Sequence, residues 1–110
     1  MNTTAFDSRL LETIKLAYKY PTIKRVGIFG SYARGNSHTS SDIDLLYDYD
    51  EQSENGTDDI LNYVDEIDSA IKEITSVPKI DYVWYGGVLE SDNTDFKTNV
   101  LNEVVWVYEY

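Results

Sequence analysis

A glycine turn between two β-type runs is the feature that most restricts how this chain can fold. Residues 27–50 read GIFGSYARGNSHTSSDIDLLYDYD. Short apolar runs bounded by glycine and polar residues predict strands at 24–30 and 42–49. Ser31 can cap one helical turn after the first strand, and a polar loop is expected at 36–41. The chain therefore leaves one strand through a tight turn and soon enters another.

The clearest helix is predicted at residues 58–75, with Thr57 as its cap. Its apolar residues recur at spacings of four and three, which places them in one stripe along the helix. The residues of this stripe are Ile60, Val64, Ile67, Ile71 and Ile74. The stripe predicts that one face of the helix covers a sheet.

Two further helices follow from the same kind of spacing. One is expected at residues 4–20, capped by Thr4 and stopped by Pro21, because proline disfavours helical geometry in the residue before it. The other is expected at about 94–102. Its inward residues are predicted to be Phe96, Val100 and Leu101.

The last two strands are predicted at residues 79–85 and 104–108. The Gly86–Gly87 pair breaks the first of them, and the second has the β propensity of an edge strand. The order of elements predicts an α/β (α+β) fold, in which helices flank one mixed sheet. A length of 110 residues is typical of a single domain, so we expect one domain over residues 1–110.

The net charge of the chain indicates which classes of molecule it can bind. Twenty acidic and nine basic residues give a formal net charge of −11. Such a field repels nucleic acid and attracts cations, whether Mg²⁺ or a basic protein surface. The same acidity is also explained by solubility alone. The absence of cysteine excludes disulfides and thiolate metal sites.

No segment predicts export or membrane insertion. The first ten residues lack a basic region followed by an apolar run, so we expect no signal peptide. No apolar stretch approaches the roughly 20 residues that a membrane helix needs. We therefore expect a cytoplasmic protein, with ATP and magnesium at hand.

Three aspartates are the candidate metal ligands. Asp42 and Asp44 are two residues apart on a predicted strand, so their side chains share a face. Asp81 is the one acidic residue in an apolar and aromatic run. If its strand lies beside that of Asp44, three carboxylates converge and can hold two hard ions for in-line phosphoryl chemistry. The alternatives are a solvated strand face for the pair, and for Asp81 an ion pair with Lys79 or Arg25.

The glycine turn is a candidate phosphate site. Gly30 lets a phosphate approach the backbone, while the Ser31 hydroxyl and the free amides after it can donate hydrogen bonds. Arg34 lies about one helical turn further and can add a charged fork. The same residues also fit an ordinary strand–turn–helix junction. No Gly-Lys-Ser/Thr ending follows Gly30, so the turn is not a Walker A loop.

Together these residues resemble a known family. The stretch GSYARGNSHTSSDIDLL is similar to the signature of the DNA polymerase β-type nucleotidyltransferases, in which Gly-Ser precedes an Asp-x-Asp strand. It most resembles the minimal nucleotidyltransferases, small proteins often paired with HEPN-domain toxins in toxin–antitoxin modules. The resemblance spans nearly the whole chain.

The resemblance implies a role for each candidate. Gly30 and Ser31 would bind the triphosphate, and Arg34 would support the phosphates or the loop. Asp42 and Asp44 would ligate both Mg²⁺ ions. The third aspartate, in the strand at 79–85, would ligate the catalytic ion and help to deprotonate the attacking hydroxyl. The family reaction transfers a nucleoside monophosphate, commonly AMP from ATP.

The acceptor is expected to come from outside this domain. Larger relatives carry a second domain that holds the base or the acceptor, and about 25 residues after the third strand are too few for one. A hydroxyl on a HEPN-type toxin fits this gap. The alternatives are a non-catalytic module that covers a toxin, and a small-molecule nucleotidyltransferase. Exposed aromatics and an edge strand also permit self-association.

Overall fold

The computed structural model describes residues 6–34 and 42–110. The helices are α1 (Ser8–Ile14), which continues into a 3-10 helix (Lys15–Lys19), α2 (Gly30–Arg34), α3 (Gly56–Thr75), α4 (Tyr85–Leu89) and α5 (Thr94–Glu103). The strands are β1 (Ile23–Phe29), β2 (Ile43–Tyr49), β3 (Ile80–Trp84) and β4 (Val105–Glu109). The loop predicted at 36–41 lies outside the described residues.

The four strands form one mixed sheet in the order β3-β2-β1-β4. Strand β1 pairs antiparallel with β2 and with β4, whereas β2 and β3 run parallel. A parallel pair needs a long crossover, and α3 supplies it. The predicted mixed sheet and the predicted edge position of β4 are both confirmed.

One face of the sheet carries the larger core. Helices α1 and α3 pack on it through Leu10, Ile14, Ile67 and Ile71, which are fully buried. Tyr63 is also buried here, and its hydroxyl donates a 2.6 Å hydrogen bond to the carbonyl of Ile14. The apolar stripe predicted for α3 is confirmed at its centre. The burial of Tyr63 was not predicted, because this residue lies beside the stripe and its hydroxyl needs a hydrogen-bond partner when buried.

The second face carries a smaller core under α4 and α5. Phe29 and Leu46 of the sheet meet Val88 and Val100 of these helices. The inward position of Val100 is confirmed, but that of two neighbours is wrong: Phe96 is 39% exposed and Leu101 38% exposed. Helix α5 is too short to bury more than a narrow strip. The second face is therefore covered only in part.

Several predicted helix ends are corrected by the structure. Helix α1 begins at Ser8, because the Asp7 side chain accepts from the Arg9 amide, and Thr4 lies outside the described residues. The N-cap of helix α3 is Asn55 and not Thr57, and its side chain makes no capping hydrogen bond. Residues 15–19 form a tighter 3-10 helix before the extended residue at 20.

Strand β3 ends at Trp84, one residue earlier than predicted, and the Gly86–Gly87 pair lies inside the short helix α4, which was not predicted. Small residues let this helix turn directly over the ring of Trp84, because a Cβ on Gly86 would lie 2.6 Å from it. In the two described ranges, no helix combines the length and the apolar character needed to cross a membrane.

Candidate active site

Two aspartates from distant parts of the chain lie side by side. The parallel register of β2 and β3 places Asp44 opposite Asp81. Directly paired residues of neighbouring strands point to the same face, so the two carboxylates share one surface. Asp42 immediately precedes β2, and alternation along the chain puts it on the same side as Asp44. The predicted neighbourhood of the two strands is confirmed.

The electrostatics of Asp44 reflect this arrangement. Its pKa is raised to about 6, first by burial, then by the charge of Asp81 and a hydrogen bond with it, and then by the charge of Asp42. The charge of Arg34 acts in the opposite direction. Like charges held this close favour either a shared proton or a bound cation. A bound cation would therefore be electrostatically favourable beside these aspartates.

The glycine turn touches the same carboxylate. Gly30 has a φ of 76°, a left-handed conformation that side chains other than hydrogen rarely adopt. A Cβ on Gly30 would overlap an oxygen of Asp44. Both the backbone conformation and the close approach therefore require glycine here. The turn is therefore in direct contact with the carboxylate of Asp44.

The residues after the glycine are positioned by α2. Ser31 is half-buried in its first turn, and Arg34 is exposed at its last residue. The Arg34 guanidinium donates to both carboxylate oxygens of Glu103, at 2.9 Å each, and this ties α2 to α5. The pairing of Glu103 with Arg34 was not predicted, because nothing in the sequence pattern of α5 links Glu103 to a residue so distant in the chain.

Asp81 also has a cationic partner. The Lys79 ammonium lies 3.1 Å from Asp81 Oδ1, so one alternative considered for this aspartate, an ion pair with Lys79, is present. The donor chemistry fits magnesium, since every candidate ligand atom is a carboxylate oxygen. Within 6–34 and 42–110, however, no three acidic or histidine side chains stand ready-arranged around one metal position.

The other end of this sheet face holds an arginine. Arg25 lies 4.1 Å from the ring centre of Trp106 and 4.7 Å from that of Tyr85. Its guanidinium is also 3.4 Å from an oxygen of Asp48, its partner across the β1–β2 register. The alternative that paired Arg25 with Asp81 is therefore wrong. This end of the face has its charges balanced within the protein.

The chain is similar to known proteins in sequence and in fold. The model of the family described as polymerase beta, nucleotidyltransferase matches residues 12–110. Protein adenylyltransferase MntA of Thermococcus cleftensis is 28% identical over 85 residues, which cover 77% of this chain and 75% of that protein.

Solved structures with the same fold include a toxin–antitoxin with AMP-PNP, which is 20% identical, with a TM-score of 0.58 over 91% of this chain and 73% of that one. A mutant of the toxin–antitoxin MntA–HpeT is 18% identical, with a TM-score of 0.59 over 92% and 73%. Since the family model covers most of the sequence, the chain belongs to the polymerase β nucleotidyltransferase family, in which it is similar to MntA.

Proposed function

We propose that this protein transfers AMP from ATP to a hydroxyl group of a protein partner, with Mg²⁺ as cofactor. The observation that carries the proposal is the contact between the two halves of the site. Asp44 faces Asp81 across parallel strands and lies against the left-handed Gly30. A phosphate held at the turn would therefore lie next to carboxylates that can hold cations.

Asp42, Asp44 and Asp81 would hold the metal. Their oxygens suit a hard cation, and the raised pKa of Asp44 follows from the crowding of negative charge that a cation would relieve. In the proposed arrangement Asp42 and Asp44 hold two Mg²⁺ ions and Asp81 holds one of them. Bound Mg²⁺ would supply charge neutralisation at the α-phosphate and at the leaving pyrophosphate.

The turn would hold the triphosphate. Gly30 leaves room for a phosphate at the backbone, and the Ser31 hydroxyl and following amides are donors. Arg34 would add a guanidinium at the edge of the same turn. Its pair with Glu103 supports this role, since it fixes the guanidinium close enough to act on the charge of Asp44.

The reaction would be an in-line displacement at the α-phosphorus. The acceptor oxygen forms a bond to that phosphorus while the bond to the bridging oxygen of the β-phosphate breaks, and pyrophosphate leaves. The proton of the acceptor hydroxyl goes to the Asp81 carboxylate, which acts as general base. Asp81 is half-buried at the edge strand β3, where a hydroxyl from another molecule can reach it.

The proposed acceptor is a HEPN-type toxin in the cytoplasm. Support comes from the relative that is named a protein adenylyltransferase and from the toxin–antitoxin structures that share the fold. A net charge of −11 also favours a partner with a basic surface. In this proposal the protein is the antitoxin, and the transfer inactivates the toxin.

The test is transfer of label from α-labelled ATP with Mg²⁺ to a co-purified partner. We expect wild type to label the partner, and Asp42→Asn/Asp44→Asn to lose about a thousandfold or more in rate, because several kcal/mol of charge stabilisation disappear. Asp65→Asn/Asp92→Asn is the matched control. It removes two exposed charges elsewhere and should keep the wild-type rate.

Equal labelling by wild type and by the Asp42/Asp44 variant would contradict the assignment of these residues. If no label moves while the variant still neutralises the toxin in cells, the protein acts as a steric cover. These two outcomes separate the catalytic proposal from the binding-module alternative.

A further inference from the structure

Lys79 is held at the entrance to the aspartate cluster by its backbone as well as by its side chain. Its carbonyl accepts a 3.2 Å hydrogen bond from the amide of Ile43, the residue between Asp42 and Asp44. Its ammonium then reaches forward to Asp81 Oδ1 at 3.1 Å. The backbone of Lys79 is therefore tied to the strand of Asp42 and Asp44, and its ammonium contacts Asp81.

All three aspartates act electrostatically on the Lys79 ammonium. The pKa of Lys79 is raised first by its hydrogen bond with Asp81 and by the charge of Asp81, and then by the charges of Asp42 and Asp44. Lys79 thus supplies part of the positive charge that these carboxylates need. Arg34 also supplies positive charge to Asp44, and its Nη1 donates to Glu103.

We propose that Lys79 is the internal counter-ion of the aspartate cluster and competes with a divalent cation for Asp81. This inference rests on the proposed function, because it takes the three aspartates as metal ligands. In the metal-free protein the ammonium occupies an oxygen that a metal ion would use. Metal binding then requires the Lys79 side chain to swing away.

The exposure of the pair makes this exchange feasible. The Lys79 side chain is 65% exposed and that of Asp81 37% exposed, so water screens their attraction. Exposed ion pairs of this kind are weak, and the flexible lysine stem can move without disturbing β3. A dication attracts each carboxylate more strongly than an ammonium does at the same distance. Lys79 therefore lowers the affinity for metal without blocking the site.

The experiment is a titration of the whole protein with Mn²⁺ alone, without nucleotide, read by electron paramagnetic resonance of the free ion. We expect Lys79→Gln to bind Mn²⁺ about three- to tenfold more tightly than wild type, because the competitor and its repulsion are both removed. Lys79→Arg keeps the charge and should bind Mn²⁺ within twofold of wild type.

Lys72→Gln is the matched control. It removes the same charge from a pair with Asp68 on α3, at 2.9 Å, and should change the affinity less than twofold. Equal tightening in the Lys79→Gln and Lys72→Gln variants would overturn the inference, since the effect would then be long-range charge. Weaker binding by Lys79→Gln, or no Mn²⁺ uptake by either protein, would overturn it as well.

The label-transfer assay distinguishes this failure from failure of the proposed function. If wild type transfers AMP with Mg²⁺ while Lys79→Gln binds Mn²⁺ like wild type, only the competition is wrong. If Lys79→Gln tightens binding but no protein transfers label, the metal site and its counter-ion stand and the proposed reaction fails.

Discussion

The two ends of the second sheet face differ in whether their charged side chains are paired with opposite or with like charges. At one end Arg25 lies between two aromatic rings and pairs with Asp48, so its charge is met inside the protein. At the other end Asp44 faces Asp81, and the cation paired with Asp81 is an exposed lysine. The two ends belong to the same strands, β1 and β2, and differ in which charges the register brings together.

The difference indicates which end is built for stability and which for a ligand. Removing a partner of Arg25 would leave its charge unpaired and weaken the fold, and this arginine has few contacts left to offer another molecule. Burial and the neighbouring aspartates raise the pKa of Asp44, which weakens the fold, and like charges held this close favour a bound cation. The balanced end should therefore respond to mutation through stability alone, and the aspartate end through both stability and activity.

The largest effect is expected at the aspartate end, from Gly30→Ala. The new methyl group would meet an Asp44 oxygen, and a φ of 76° strains any side chain, so we expect a loss of about 2–3 kcal/mol in unfolding free energy. Displacement of Asp44 should also lower transfer at least about tenfold. Chemical denaturation and the label assay measure the two effects.

Gly87→Ala is the control for this change. A Cβ at Gly87 would lie 3.6 Å from the ring of Trp84, an ordinary contact, and helix α4 should gain up to about 1 kcal/mol from alanine. If Gly30→Ala proves as stable and active as Gly87→Ala, the contact between turn and carboxylate has no role.

A smaller effect is expected at the balanced end, from Arg25→Met. The variant keeps most of the apolar stem but loses the contacts with two rings and with Asp48, so unfolding free energy should fall by about 1–1.5 kcal/mol. Transfer should stay within twofold of wild type. Arg9→Met, which breaks an exposed pair with Asp7, should leave the unfolding free energy close to that of wild type. A large loss of activity in Arg25→Met would mean that the two ends are not independent.

The smallest effect is the pH dependence of stability that Asp44 causes in metal-free buffer. Its folded pKa of about 6 lies above the ordinary aspartate value of 3.8, so its contribution to stability is fully present below pH 4 and is lost as pH rises through 6. Asp44→Asn should therefore match wild type near pH 4 and exceed it by about 1 kcal/mol at pH 7, after allowance for solvent screening.

Thermal melts across this pH range measure the difference. Asp48→Asn is the matched change at the balanced end, and there the loss of a partner for Arg25 should lower stability at pH 7. Effects of the same sign for the two variants would contradict the contrast between the two ends.

The sheet and its aspartates could be predicted because local patterns determine them. Alternation placed Asp42 and Asp44 on one side, and the apolar stripe predicted helix α3, which in the structure is the crossover between the parallel strands β2 and β3. Once those strands are neighbours, the convergence of Asp44 and Asp81 requires only the correct register. Spacing and propensity are enough for features of this kind.

Features that depend on pairing across the fold could not be predicted. The Arg34–Glu103 pair and the arrangement of rings around Arg25 join residues whose own neighbourhoods give no sign of each other. The exposure of Phe96 and Leu101 depends on how little of α5 the second core can cover. The burial of Tyr63 depends on a carbonyl at the end of α1 that accepts a hydrogen bond from its hydroxyl.

Helix α3 separates Asp44 from Asp81 along the chain and joins their strands in space. During synthesis the first carboxylate therefore leaves the ribosome well before its partner exists. In the proposed mechanism the protein can transfer a nucleotide only after β3 has paired with β2, so a chain that ends within α3 carries the signature motif but lacks the third carboxylate. Nucleotide transfer would therefore report that these two strands have paired.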